Sequence, residues 1–176
     1  IATSWDPGAF PSTRGLAVRG GTVYAAGAQA VAAFDAATAS LSWRREAESE
    51  VMTLAVEGRR LFVGGMFSML GVQQRHRLAA LDATTGEATA WDPEPSGAVN
   101  ALLMVGNTVY VGGEFWSIGG RQRSAIAAVD ATTGAVSEWD AHLVDGWVNA
   151  LAVRGSTVYV GGLFTSLGGQ PRVSLA

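Results

Sequence analysis

Short apolar runs of four to seven residues, rich in Val, Leu, Ala, Tyr and Phe, recur along the whole chain. Between them stand Gly, Asp-x-Thr-Thr-Gly or Pro-containing turns. No stretch keeps a helical period for more than one turn, so the pattern predicts β-strands throughout. Runs such as VNALLMV (Val99–Val105) and TVYVGG (Thr108–Gly113) are nearly continuously apolar instead of alternating. Strands read that way when both of their faces are covered.

The runs also repeat as a group. Trp5, Trp43, Trp91 and Trp139 recur at intervals of 38, 48 and 48 residues, and Tyr24, Phe62, Tyr110 and Tyr159 keep the same step. A period near 48 residues, filled with four strand-like runs, predicts an all-β propeller of about four blades with four antiparallel strands each. The whole chain, 1–176, reads as one propeller domain with units at roughly 14–50, 51–98, 99–147 and 148–176 plus 1–13. The first unit is about ten residues short because the segment after its second strand is missing. The last stops in what should be its third strand, and Ser4–Pro7 (SWDP) has the sequence of a missing outer strand. Two forms fit: a closed ring whose ends meet in one blade, leaving no open sheet edge, or a segment of a larger propeller. The second form is completed by a longer chain or by self-association of copies, and Ile1 in place of Met favours a piece of something longer.

Composition narrows the function classes. Cysteine is absent, which excludes disulfides and thiolate metal sites. Charged residues make up 15% and the net charge is −3, which gives no footprint for nucleic acid or an anionic membrane. The apolar runs break within about ten residues, short of the roughly 20 a spanning helix needs, so no membrane insertion is expected.

Most candidate chemical groups have a structural use. The Asp-x-x-Thr-Gly turns at Ala80–Gly86 and Ala128–Gly134 predict carboxylates that accept from their own backbone N–H groups, with Gly at positive φ. Trp43, Trp91 and Trp139 follow at a nearly fixed offset and are expected to dock between blades. The connections GGMFSMLGVQQR, GGEFWSIGGRQR and GGLFTSLGGQPR (64–75, 112–123 and 161–172) lack the Lys-Ser/Thr pair of a phosphate loop. Phe67, Phe115 and Phe164 are expected to plug these connections. Arg75, Arg123 and Arg172 either bridge to nearby Asp residues or converge as a ring for an acidic ligand. Asn100 and Asn149, with Met52 and Arg14 at matching positions, should face the central channel and hold water or a small ligand. His76 and His142 are single and unrepeated, so no metal site is expected from them. Trp116 and Trp147 break the repeat and are the aromatic candidates for contact with a glycan or protein. No Gly-x-Ser-x-Gly elbow occurs, and no cofactor is expected.

Through VYVGGEFWSIGGRQRSAIAAVDATTGAVSEWD (109–140) and VYVGGLFTSLGGQPR (158–172) the chain resembles the bacterial delta-sixty repeat propellers. That resemblance covers nearly the whole chain and implies a secreted or cell-surface interaction scaffold. LAALDATTGEATAW (78–91) is also similar to the docking motif of quinoprotein propellers, although the Gly-to-Trp spacing is one residue longer in the second and third units. The quinoprotein resemblance implies eight blades and calcium-binding carboxylates. The reading is therefore a non-enzymatic propeller module that binds protein or glycan outside the bacterial cytoplasm. The alternative is a fragment of a quinoprotein-like enzyme.

Overall fold

Four antiparallel sheets follow one another in chain order. The structure is a computed structural model that describes residues 5–8, 10 and 12–176. The expected strand at Ser4–Pro7 therefore lies partly outside the described residues, which contain no helix.

The first blade has four strands in the order β1 (Gly15–Arg19), β2 (Thr22–Gly27), β3 (Ala30–Asp35) and β4 (Leu41–Glu46). The second has β5 (Val51–Glu57), β6 (Arg60–Gly65) and, after the small hairpin β7 (Met69–Leu70) and β8 (Gln73–Gln74), β9 (Leu78–Asp82). The third repeats it with β10 (Val99–Val105), β11 (Thr108–Gly113), the hairpin β12 (Ser117–Ile118) and β13 (Arg121–Gln122), and β14 (Ile126–Asp130). The fourth holds β15 (Val144–Arg154), β16 (Thr157–Leu167) and β17 (Gln170–Pro171). Two-residue turns join the first two strands of every blade, and Gly20, Gly58, Gly106 and Gly155 supply their positive φ. The expected fourth strand is complete only in the first blade. In the second and third it shrinks to single bridges, Leu81↔Ala88 and Val129↔Val136.

The cores lie between blades. Tyr24, Ala33 and Trp43 of the first pack on Leu54, Leu61, Val63 and Phe67 of the second. Phe62, Ala80 and Trp91 of the second pack on Val109, Val111 and Phe115 of the third. Ile126 of the third meets Val148, Val160 and Phe164 of the fourth. No blade hides both of its faces alone, so stacking supplies the hydrophobic drive. Phe67, Phe115 and Phe164 are all buried, as the sequence predicted.

Tryptophans clamp the first two junctions, whereas Trp139, expected to dock between blades in the same way, is 39% exposed and packs edge-on against Tyr110 of its own blade. Trp43 Nε1 donates to the carbonyl of Ala83 at 3.0 Å, and Trp91 Nε1 to that of Asp130 at 2.9 Å, each in the following blade. Trp5 Nε1 donates to the Asp35 carbonyl at 3.2 Å, so Trp5 meets the first blade as the tryptophan of a preceding unit would. Beside it Phe10 covers Phe34 edge-on.

Both ends of the arc show unburied equivalents. Leu16 and Val18 on β1 are 65% and 66% exposed, whereas Leu54 at the corresponding place on β5 is 8% exposed. Tyr159 of the fourth blade is 44% exposed against 6% for Tyr24. The described residues thus form a partial propeller of four sheets.

Candidate functional site

The innermost strands β1, β5, β10 and β15 lie side by side and share one shallow channel of about 360 Å³. Arg14, Met52, Asn100 and Asn149 line it together, as their repeat positions predicted. A register shift falls between Val99 and Ala101, and another between Val148 and Ala150, which makes Asn100 and Asn149 the extra residues of β-bulges. A bulge turns its extra side chain away from the ladder. Asn100 Nδ2 lies 3.2 Å from Asn149 Oδ1 and 3.3 Å from both Glu114 Oε1 and the Val148 carbonyl. Asn100 Oδ1 is buried without a hydrogen-bond partner among the described residues. Arg14 pairs with Glu50 at 2.8 Å.

The three arginines do not form a ring. The Arg123 side chain is 10% exposed, and its guanidinium donates to the carbonyls of Trp139, Gln122 and Ser137 at 3.1, 2.7 and 2.8 Å, with Asp140 Oδ2 at 3.7 Å. Arg75 repeats this toward Gln74 and Thr89, with Asp92 Oδ2 at 3.8 Å. Both therefore bridge to the Asp expected and brace the linker to the next blade. Arg172 is exposed and makes no side-chain hydrogen bond or ion pair among the described residues. Burial raises the Asp92 carboxyl above its ordinary range, with Arg75 opposing the shift.

The turn carboxylates are likewise committed. Asp130 Oδ1 accepts from Thr133 N, Thr133 Oγ1 and Thr132 N at 2.7, 2.9 and 2.9 Å, which lowers its pKa. Asp35 and Asp82 are lowered by the same kind of turn. Among the described residues no group of three or more His, Cys, Asp or Glu is placed to hold a metal ion. The carboxylate donor set that the quinoprotein resemblance implies is thus not assembled by these residues.

Trp116 and Trp147 are not brought to one site. Trp147 lies on β15 opposite Leu163 and is 39% exposed. Trp116 is 67% exposed and lines a cleft of about 390 Å³ between the third blade's long connection and the 140–144 linker. Gln122, Ser124, Asp140 and His142 line the same cleft. Sequence reasoning singled out Trp116 and Arg123 but missed Gln122, Ser124 and Asp140, whose types are ordinary for loops. The fall of two separate segments on one cleft carries no sequence signal.

Exposed apolar residues collect on the long connections. Met66 is 53% exposed, Val72 94% and Leu163 51%, the first and last at the same repeat position.

Comparison with known proteins places the chain. Residues 3–143 match the family described as outer membrane protein assembly factor BamB, so the chain belongs to that family. No curated protein sequence matches it. Among solved structures, the computationally designed Ika4 protein superposes with a TM-score of 0.67 at 19% identity, over 96% of this chain and 92% of that one. BamB from Moraxella catarrhalis gives 0.64 at 19% identity, over 89% of this chain and 44% of that one. Quinohemoprotein alcohol dehydrogenase from Comamonas testosteroni gives 0.56 at 18%, over 87% and 33%. The chain thus spans less than half the length of these two natural proteins, and the likeness at such identity shows the fold.

Proposed function

We propose that this member of the BamB family is a non-catalytic scaffold of the bacterial cell envelope that holds a protein partner against its long blade connections. The observation that carries the reading is the contrast between the two ends of the blades. At one end, Met66 just after β6, Val72 in the β7–β8 turn and Leu163 in the second half of β16 are left in water. At the other end, the tight turns around Gly20, Gly58, Gly106 and Gly155 offer small and polar groups. Exposed apolar side chains among polar ones suit protein contact. The recurring carboxylates and the two partly buried arginines are spent on turns and linkers, which favours scaffolding over catalysis. The repeat phrase shared with delta-sixty propellers and the family's named role in outer membrane assembly both favour an extracytoplasmic place.

Photo-crosslinking in intact cells tests this. A photoreactive residue at Val72 is expected to yield one discrete protein adduct, and the same residue at Ser156, in the turn at the opposite end, none. Equal adducts at both positions, or none at Val72, would remove the reading.

A further inference from the structure

We propose that the cleft beside Trp116 is a binding site for a neutral carbohydrate, with the Trp116 indole as its stacking platform. The proposal goes beyond protein scaffolding and uses none of the exposed apolar side chains, Met66, Val72 and Leu163, at which that reading places a protein partner.

The first observation is the platform. Trp116 is 67% exposed, has no aromatic neighbour in ring contact among the described residues, and is held by its backbone alone, its N donating to Ser96 Oγ at 3.1 Å and its carbonyl accepting from Arg123 N at 3.0 Å. A large flat ring held at the mouth of a cleft presents an apolar face to whatever enters. The C–H face of a pyranose ring is apolar and flat, while its hydroxyls point outward and need hydrogen-bonding groups at the rim.

The second observation is that the rim supplies such groups unspent. Among the described residues neither the Gln122 amide nor the Ser124 hydroxyl makes a side-chain hydrogen bond, and both line the cleft with Trp116. An amide provides two donors and an acceptor, and a hydroxyl both roles, which matches vicinal hydroxyl groups. Asp140 and His142 complete the rim, 3.6 Å apart.

Charge then selects the ligand class. The Asp140 carboxylate lies 3.7 Å from the Arg123 guanidinium, whose N–H groups are turned onto the carbonyls of Gln122, Ser137 and Trp139. Arg123 therefore has little to offer an anion, and its charge offsets that of Asp140 for an incoming cation. A neutral, hydroxyl-rich ligand loses least on entering.

The other blades act as internal controls. In the second, Ser68 replaces Trp116 and bonds Glu48, Gln74 bonds His76 at 3.0 Å, and His76 lies 3.8 Å from Glu94. In the fourth, Thr165 donates to the Val144 carbonyl at 3.3 Å and Pro171 replaces the glutamine. The same loop positions are thus satisfied internally in those blades. Only the third blade adds an aromatic and leaves its polar neighbours open.

Native gel electrophoresis through dextran, laminarin and mannan, with polygalacturonate as the acidic control, tests the proposal. At least one neutral polysaccharide should retard the protein, and Trp116→Ala should weaken that retardation about tenfold, with Trp116→Phe in between. Because Trp116 is exposed the variants should fold, and unchanged melting temperatures check this. Val72→Asp should leave retardation unaltered, which separates this site from the protein-docking loops. Retardation by none of the three neutral polymers, by polygalacturonate alone, or equally in Trp116→Ala would overturn the assignment.

Discussion

The indole of Trp43 in the first blade lies so close over Gly86 of the second that a Cβ built on Gly86 would stand 2.5 Å from Trp43 Cε3. Gly86 also has a φ of +73°, which an L side chain resists. The turn glycine and the docking tryptophan are therefore one device: the bare backbone leaves room for the ring, and the ring closes the junction. Gly134 of the third blade repeats the relation more loosely, since a Cβ built there would stand 3.4 Å from Trp91 Cδ1.

Gly86→Ala should cost about 3 kcal/mol, left-handed strain plus overpacking against a rigid ring. Gly120→Ala, at a φ of +72° with nothing within 4 Å, should cost about 1 kcal/mol from the strain alone. Urea unfolding of the two variants measures the difference. Equal losses would mean that the Trp43 contact contributes nothing.

Two tryptophans at one repeat position should respond differently to the same change. Trp91 is 5% exposed and its Nε1 donates to the Asp130 carbonyl, which also accepts from Gly134 N at 2.9 Å, so Trp91→Phe should lose about 1–2 kcal/mol by giving up the indole hydrogen bond and part of a buried ring. Trp139 is 39% exposed, touches Tyr110 edge-on, and its Nε1 has no partner among the described residues. Trp139→Phe should therefore fall within about 0.5 kcal/mol of the parent in the same denaturation experiment.

Acid should loosen the turns. The backbone N–H of Thr133, its hydroxyl and the Thr132 N–H hold the Asp130 carboxyl below its ordinary value of 3.8. A carboxyl lowered by folding stabilises the fold above the unfolded value, and that contribution disappears as pH falls through the folded one. The stability gap between the parent and Asp130→Ala should hold from pH 7 down to about 4 and then narrow, as followed by denaturant midpoints.

Asp92 should show the opposite sign. Burial raises its carboxyl, so the folded state favours the protonated form, an advantage present below 3.8 and lost as pH rises through the folded value. Among the described residues its Oδ1 has no hydrogen-bond partner, and neither does Nε of Arg75 opposite. Asp92→Asn should gain stability relative to the parent as pH is raised from 3.5 toward 7, by about 1 kcal/mol at most. A gap that stays flat over that range would show that Arg75 fully compensates the buried charge.

Much of this molecule was legible in the residue pattern because a repeat states each local rule several times. The 48-residue spacing of Trp43, Trp91 and Trp139 fixed the unit, and the Asp-x-x-Thr-Gly phrase announced its own hydrogen bonds, since both depend on neighbours along the chain. The inward place of Asn100 and Asn149 and the Arg75–Asp92 and Arg123–Asp140 bridges followed from the same register. The reduction of the outer strand in the second and third blades did not, because a bridge or a strand at Ala88 and Val136 depends on how far the chain is drawn off toward the next unit.

The sequence by itself determined the strands, their grouping into blades and the self-satisfied turns, because those rest on local backbone preferences and on apolar faces that one sheet cannot bury. Only the tertiary structure decided which copies of a repeated residue are covered. Leu16 and Leu54 stand at the same step of the repeat, yet one is in water and one is in a core, because burial belongs to the neighbour that stacks on a face. The same holds for the cleft at Trp116. Its wall is the linker to another blade, and the distance between two separate loops is set by packing and not by either loop's own residues.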